Sequence, residues 1–485
     1  MRNLQTSKFQ REENELLEVE SYLNKLPVYD EKLTSLWNET YKNFNKKIIV
    51  LDDDPTGVQT VHGIPVFTNW SKQTIHQLFE DSRKLTFILT NSRAFSKQTT
   101  TEVHQEIARN IAEVAKERNT AFILISRSDS TLRGHYPLET EILKETLTKE
   151  NMVFDGEIII PFFKEGGRET ILDIHYVKQN GKYVPVAETE FAKDRMFSFT
   201  KSDLKEYIEE KTNGMYKGNE VTSITLEELR FLQFAAIENK LLKVTNFNKV
   251  IVNAHTEDDL KVFCIALINV LNKGKHFLFR TAASFTKIIG NISNKPLLNS
   301  KNLQTDASHH GGIIIVGSHV QKTTEQLLNL KELKALHFIE FNCLLVQDSL
   351  AFDREINRVQ KEVDSIIKKG QSVCVYTSRE LLKLDGQKFE DELAISVKIS
   401  NAVTSFVKNC SAKPKFVIAK GGITASDVGI KALQVKKAEV LGQVAPGVPV
   451  WLTDSGSTFP HIPYVIFPGN VGEKDTLKNI VKTLI

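Results

Sequence analysis

"KKIIVLDDDPTG", Lys46 to Gly57, opens with β-branched and aliphatic residues and then breaks into three carboxylates, a proline, a threonine and a glycine. The apolar run has the composition of a strand covered on both faces. A covered strand that ends in polar residues is the elementary unit of an open α/β sheet, whose ligands bind beyond the carboxyl ends of the strands. The same form recurs in "LTFILT" (85–90), "AFILIS" (121–126), "EIIIP" (157–161), "KVIVNA" (249–254) and "HFLFRT" (276–281). Between the second and third of these runs, Val103, Ile107, Ile111 and Val114 fall at helical spacing and make one apolar stripe. Strand, helix, strand predicts a parallel sheet covered by helices.

A polar stretch at 291–312 interrupts this order. A second series follows with "IIIVGS" (313–318), "HFIEFN" (337–342), "SVCVYTS" (372–378) and "FVIAKGG" (416–422). A helix from about Asp353 should turn Ile356, Val359, Val363, Ile366 and Ile367 inward and stop at Gly370. At 485 residues the chain exceeds the roughly 250–300 at which single cores stop growing. The expected fold class is α/β in two domains, each a mostly parallel sheet covered by helices, with a helical N-terminal extension over 1–45. The first domain should span 46–290, the linker 291–312 and the second domain 313–485.

Composition narrows the partners. A formal charge of +3, spread without a basic stripe, argues against nucleic acid and against an anionic membrane surface. Cys264, Cys343, Cys374 and Cys410 are far apart, show no ligand-like spacing and read as buried reduced thiols. The first residues lack the apolar core of a signal peptide, and no run approaches the 18 or so apolar residues of a membrane span. A soluble, cytoplasmic protein is expected.

The strand ends carry the chemistry. Asp52, Asp53 and Asp54, "NSR" at 91–93, "SRSDS" at 126–130 and "NAH" at 253–255 should share one cleft. Carboxylates accept from hydroxyls, while Arg93, Arg127 or Arg133 can grip a carboxylate with a planar fork, so a polyhydroxylated anion suits them. In the second series, "IIIVGSHVQKTTEQL" (313–327), "FVIAKGGITASDVG" (416–429) and "VIFPGNVG" (465–472) each run from strand to glycine turn to helix. Glycine lets phosphate approach the backbone, and the amides of a helix start attract its oxygens. One acid-lined domain and one with phosphate-type turns make the layout of a small-molecule kinase, whose phosphoryl transfer needs Mg2+ and a carboxylate that takes the hydroxyl proton.

The chain also resembles the four-carbon acid sugar kinases from about Ile48 to Leu477. The resemblance rests on "DDPTG" (53–57), "NSRA" (91–94), "SDSTLRG" (128–134), "RTAASF" (280–285), "GSHVQKTTEQL" (317–327), "GGITASDVG" (421–429), "VLGQVAPGVPVW" (440–451) and "FPGNVG" (467–472). It implies a sugar acid, such as a tetronate or oxo-tetronate, held by Asp53, Arg93 and the stretch Arg127, Ser128, Asp129 and Ser130. It implies ATP contacts at Ser318, at Gly421, Gly422, Ile423 and Thr424, and at Gly469. The catalytic carboxylate is expected at Asp53, then Asp54; no metal ligand is assigned, and a homo-oligomer stays open. Two departures lie on the substrate side: the usual acid pair is a triplet followed by Pro55, and His135 follows "TLRG" where many relatives carry Asn.

Two other readings compete. Asp52, Asp54 and Thr56 have the D-x-D-x-T spacing of haloacid-dehalogenase-type phosphatases, with Asp52 as nucleophile, Asp54 as acid/base and Lys420 as their lysine. A catalytically silent metabolite or nucleotide sensor is the third; it leaves three adjacent, mutually repelling acids unused. Trp451 could stack on adenine or fill the core, and "KEGGR" (164–168) could meet an anion or form a surface turn.

Overall fold

The computed structural model describes residues 18–179, 181–303, 309–380 and 389–485, the side chains of 389–394 excepted. Among these the strands are, in chain order, β1 (Lys47–Asp52), β2 (Ile64–Phe67), β3 (Leu85–Leu89), β4 (Phe122–Arg127), β5 (Gly156–Ile160), β6 (Arg168–Ile171), β7 (Ile174–Gln179), β8 (Lys182–Pro185), β9 (Thr222–Ile224), β10 (Asn248–Val252), β11 (Phe277–Thr281), β12 (Ile313–Val316), β13 (Leu336–Phe341), β14 (Ser372–Thr377), β15 (Val417–Lys420), β16 (Lys437–Ala445), β17 (Val448–Thr453) and β18 (Pro463–Phe467). Among the described residues they pack in two compact units, one within 18–53 and 70–293 and one within 54–69 and 294–485. The 54–69 segment therefore packs with the second unit, although it lies inside the 46–290 stretch read as the first domain.

In the first unit the order is β3, β1, β4, β11, β5, β10, β9, and every neighbouring pair is parallel. All six residues of β1 are buried, as a doubly covered strand requires. Helix Lys97–Glu117 lays Ile107, Ile111 and Val114 inward as expected, with Val103 half-buried at its edge. A small antiparallel sheet, β6–β7–β8, is added. Helix Lys32–Lys42 buries Leu33 and Trp37, and the indole donates to Asn291 Oδ1 at 2.9 Å, so this part of the N-terminal extension packs on the first unit. The first 17 residues of the expected extension lie outside the described residues, as do 304–308 of the expected linker.

In the second unit β13, β14, β12, β15 and β18 are parallel, and β17, β16 and β2 continue the sheet antiparallel. The helix expected from Asp353 begins at Ser349, where the Asp348 carboxylate caps the Ala351 amide at 3.0 Å. It buries Phe352, Val359, Val363 and Ile367, leaves Ile356 and Ile366 half-buried, and ends before Gly370 at φ +76°. Trp451 is 1% exposed, edge-on to Tyr464, and is a core residue. "KEGGR" forms a tight turn in which Arg168 bonds the Gly166 carbonyl. The four cysteines are buried and free. Among the described residues no helix is long and apolar enough to cross a membrane.

Candidate functional site

Register brings the first cluster together. Asp52 lies opposite Leu89 of β3 and Arg127 of β4, and Arg127 lies opposite Thr281 of β11, so four strands end level. Asp53, one residue beyond β1, is 2% exposed. Its Oδ1 accepts from Arg93 Nη2 at 2.6 Å, and its Oδ2 accepts from Arg93 Nε at 3.1 Å and Ser128 Oγ at 2.7 Å. The left-handed turn at Asn91, φ +57°, brings Arg93 back over β1. Arg127 Nη1 lies 3.1 Å from Asp52 Oδ1 and 3.7 Å from Asp53 Oδ1. Arg93 and Arg127, expected to grip substrate, thus hold the acids of the chain itself.

The next loop is similarly self-paired. Asp129 accepts from Arg133 Nε at 2.6 Å and from Thr131. Burial alone would raise its pKa; the charges of Arg133 and Arg93 and these hydrogen bonds outweigh burial and hold the carboxyl well below the usual range. Ser130 presents its carbonyl to His175 Nε2–H at 2.7 Å, and His175 Nδ1 meets Thr170 Oγ1 at 2.9 Å. Burial pushes His175 down to about 4, so the ring stays neutral and ties β6 and β7 to this loop.

Three residues of the same edge were not singled out from sequence. Arg280, on β11, is 8% exposed and donates through Nη1 to Glu139 and, at 3.0 Å, to Ser126 Oγ. Burial would raise the Glu139 carboxyl; Arg280, His104 and a 2.5 Å bond from Ser92 Oγ hold it below its ordinary value. Gly134 has φ +119°, and a Cβ there would meet Ser128 Oγ at 2.6 Å, Arg280 Nη2 at 2.8 Å and Asp53 Oδ2 at 3.3 Å. Only glycine fits that approach. Arg280 and Gly134 stand inside "RTAASF" and "SDSTLRG"; Glu139 carries no motif signal. His135 donates from Nε2 to the Phe95 carbonyl at 3.0 Å and stands edge-on to Phe197.

In the second unit the ends of β12, β15 and β18 converge on Ser318. A Cβ on Gly421, φ +127°, would lie 3.0 Å from Ser318 Cβ, and one on Gly469 would lie 2.9 Å from Ser318 Oγ. Thr323 Oγ1 donates to the Gly469 carbonyl at 2.9 Å, and Arg379 Nη1 to the Ser318 carbonyl at 2.8 Å. Gly422, Ile423 and Thr424 open a short helix, so their amides have no helical carbonyl to bond; Ile423 is 69% exposed. The space over Gly422 is open: among the described residues, its chain neighbours and its own helix backbone aside, the one atom within 4 Å of a Cβ there is Asp54 Oδ2, at 3.6 Å. Asp54 Oδ1 accepts from the Thr56 amide at 2.8 Å. Lys420 is fully buried, donates to the Pro468 carbonyl at 2.6 Å and lies 3.8 Å over the Phe467 ring; burial, with Lys322 nearby, brings its pKa down to about 7.

All six expected nucleotide residues therefore gather in the second unit with Asp54, while Asp53 and the expected sugar-acid residues gather in the first. Among the described residues no group of three or more His, Cys, Asp or Glu side chains clusters as a metal site.

Comparison with known proteins also divides the chain in two, and it leaves residues 54–69, with Asp54, in the first half. A sugar-binding N-terminal domain model matches residues 48–289, and a nucleotide-binding C-terminal domain model matches 313–477. Among solved structures, HI1011 of Haemophilus influenzae, of the DUF1537 family, aligns at a TM-score of 0.59 and 16% identity, over 90% of this chain and 100% of that one. A Salmonella typhimurium LT2 protein with a provisional tRNA-synthase description aligns at 0.63 and 15% identity, over 89% and 97%. At such identities these two show a shared fold. A comparison with curated proteins finds no match. Sugar-binding and nucleotide-binding halves in this order, on the two clusters just described, mean that the chain belongs to the four-carbon acid sugar kinase family.

Proposed function

We propose that the protein is an ATP-dependent kinase acting on a hydroxyl of a small sugar acid of the tetronate or oxo-tetronate type. The observation that carries the reading is the convergence of the Gly421 and Gly469 turns on Ser318, itself in the turn after Gly317, beside the open backbone of Gly422. Phosphate oxygens suit that backbone, because first-turn amides and bare α-carbons offer donors at close range. Mg2+ binds through one or two carboxylates plus substrate phosphates, so Asp54 beside Gly422 fits as its protein ligand; when bound, the ion neutralises charge on the transferred group. Asp53 takes the proton of the acceptor hydroxyl as that oxygen bonds the γ-phosphorus and the bond to the β–γ bridging oxygen breaks, with ADP as the leaving group. Arg93 and Ser128 hold the Asp53 carboxylate in one orientation, which is the positioning such a base needs.

The phosphatase reading asks Asp52 to be a nucleophile, yet that residue is 2% exposed and paired with Arg127. The sensor reading uses Asp52 and Asp53 only as partners of Arg127 and Arg93 and gives Asp54 no part in chemistry beside Gly422. A screen of purified protein with Mg·ATP against four-carbon and related sugar acids, following ADP formation, tests the proposal. Asp53→Asn should cut turnover by about 10²–10⁴, the usual worth of a general base, with little change in ATP affinity. Asp54→Asn should raise the Mg2+ requirement. Loss of activity at Asp52→Asn alone, with phosphate ester hydrolysis by the parent in the absence of ATP, would establish the phosphatase instead. Nucleotide binding without turnover of any acid would favour the sensor.

A further inference from the structure

We propose that Arg280 is the residue that receives the carboxylate of the substrate, an assignment that rests on the sugar-acid reading above. Four arginines stand at or just beyond the carboxyl ends of β3, β4 and β11, and three have their charge directed at an acid of the chain: Arg93 at Asp53 through a two-point fork, Arg127 at Asp52, and Arg133 at Asp129. Arg280 differs. Its Nη1 takes Glu139 and Ser126, while Nε and Nη2, with three N–H groups, have no acceptor in the chain among the described residues. A guanidinium 8% exposed with more than half its donors unused is costly unless something else accepts from them. The unpaired Nε of Arg127 is sealed in the core; those of Arg280 are not.

Position gives the accepting group its chemistry. Nη2 of Arg280, Ser128 Oγ and Asp53 Oδ2 all lie within 3.3 Å of the point that a Cβ on Gly134 would occupy. A cationic fork edge, a hydroxyl and a carboxylate therefore stand around the bare α-carbon of Gly134, with no side chain between them. A hydroxy acid matches them: its carboxylate takes the charge-assisted bonds from Nη2 and Nε of Arg280, and a hydroxyl of the same molecule donates to Asp53. Glu139 orients the guanidinium from behind through Nη1, with Ser92 Oγ and His104 set against its other oxygen. A neutral sugar or polyol offers Arg280 nothing in return, so the arginine selects acids over their uncharged analogues.

The test compares a tetronate with its neutral amide, by calorimetric titration of the full chain. The parent should prefer the acid. Arg280→Lys keeps a cation opposite Glu139 and loses the fork, so acid affinity should fall about 10- to 100-fold while amide affinity changes little. The double variant Arg280→Gln with Glu139→Gln removes the charge without leaving a buried carboxylate unpaired, and its acid-over-amide preference should collapse to within about threefold. Arg93→Gln should weaken both ligands together and keep the preference. If the folded double variant, checked by circular dichroism, still prefers the acid as the parent does, Arg280 is not the anchor. If the parent binds neither ligand, the sugar-acid reading beneath the proposal falls first.

Discussion

At the scale of single residues, the sites depend on which charges the chain satisfies for itself. Arg93 and Asp53 are 40 positions apart, and the sequence announces each as a polar strand end without announcing that they hold one another. Lys420 is the opposite case, a buried amine with a carbonyl and a ring for company. Its folded pKa of about 7 lies below the unfolded value, so between the two the unfolded chain binds more protons and stability rises with pH. Urea unfolding should show the parent gaining about 2 kcal/mol between pH 7 and 9 relative to Lys420→Met, because each pH unit in that window is worth up to about 1.4 kcal/mol. A parent and variant whose stabilities run parallel across that range would show that Lys420 is not held neutral. The same lysine entered the sequence reading only as a phosphatase residue; its Nζ instead joins the end of β15 to the carbonyl just before Gly469.

At the scale of elements, two adjacent glycines do different work. Gly421 sits at φ +127° with Ser318 against it, so any side chain there strains the turn. Gly422 has ordinary backbone and open space, so a substitution there is a clean probe of function. Gly422→Val should fold with the parent's circular dichroism and lose at least about tenfold in ATP affinity, since the branched side chain covers the first-turn amides. Sugar-acid affinity should be unchanged, and equal ATP binding by variant and parent would move the nucleotide elsewhere. Apart from the three-residue β9, the parallel strands were legible as apolar runs: "IIVLD", "LTFILT" and "IIIVGS" match β1, β3 and β12 to within two residues. The antiparallel elements were not. β2 is four residues long with Pro65 inside it, and β6–β8 mix exposed lysines with buried aromatics, so neither produces a long apolar run nor clean alternation.

At the scale of the whole molecule, the two-domain α/β plan was legible because each series of strands repeats one pattern, and the motif residues of each site fell on the expected strand ends. What composition and spacing could not carry was a path of the chain that leaves one unit and returns: between Asp53 and Asp54 it passes into the second, between Asn69 and Trp70 it comes back, and it leaves again after Ser293. The second unit owns β2, whose Ile64, Val66 and Phe67 are at most 2% exposed and which pairs with β16 from Ile64↔Val440 to Phe67↔Lys437. Three such side chains are worth about 1.5–3 kcal/mol each when buried. The fragment 294–485 alone should therefore be poorly soluble and melt well below the same fragment with residues 54–69 appended; equal melting of the two would show that β2 adds nothing to that core. Synthesis from the N-terminus meets the same condition in time. β2 leaves the ribosome roughly 370 residues ahead of the strand it pairs with, which at about 5–20 residues per second leaves an apolar strand waiting about 20–75 s for its partner. Asp53 can find Arg93 early, whereas its neighbour Asp54 reaches Gly422 only when the chain is nearly complete, so the nascent protein assembles the Asp53 cluster well before the Gly422 turn.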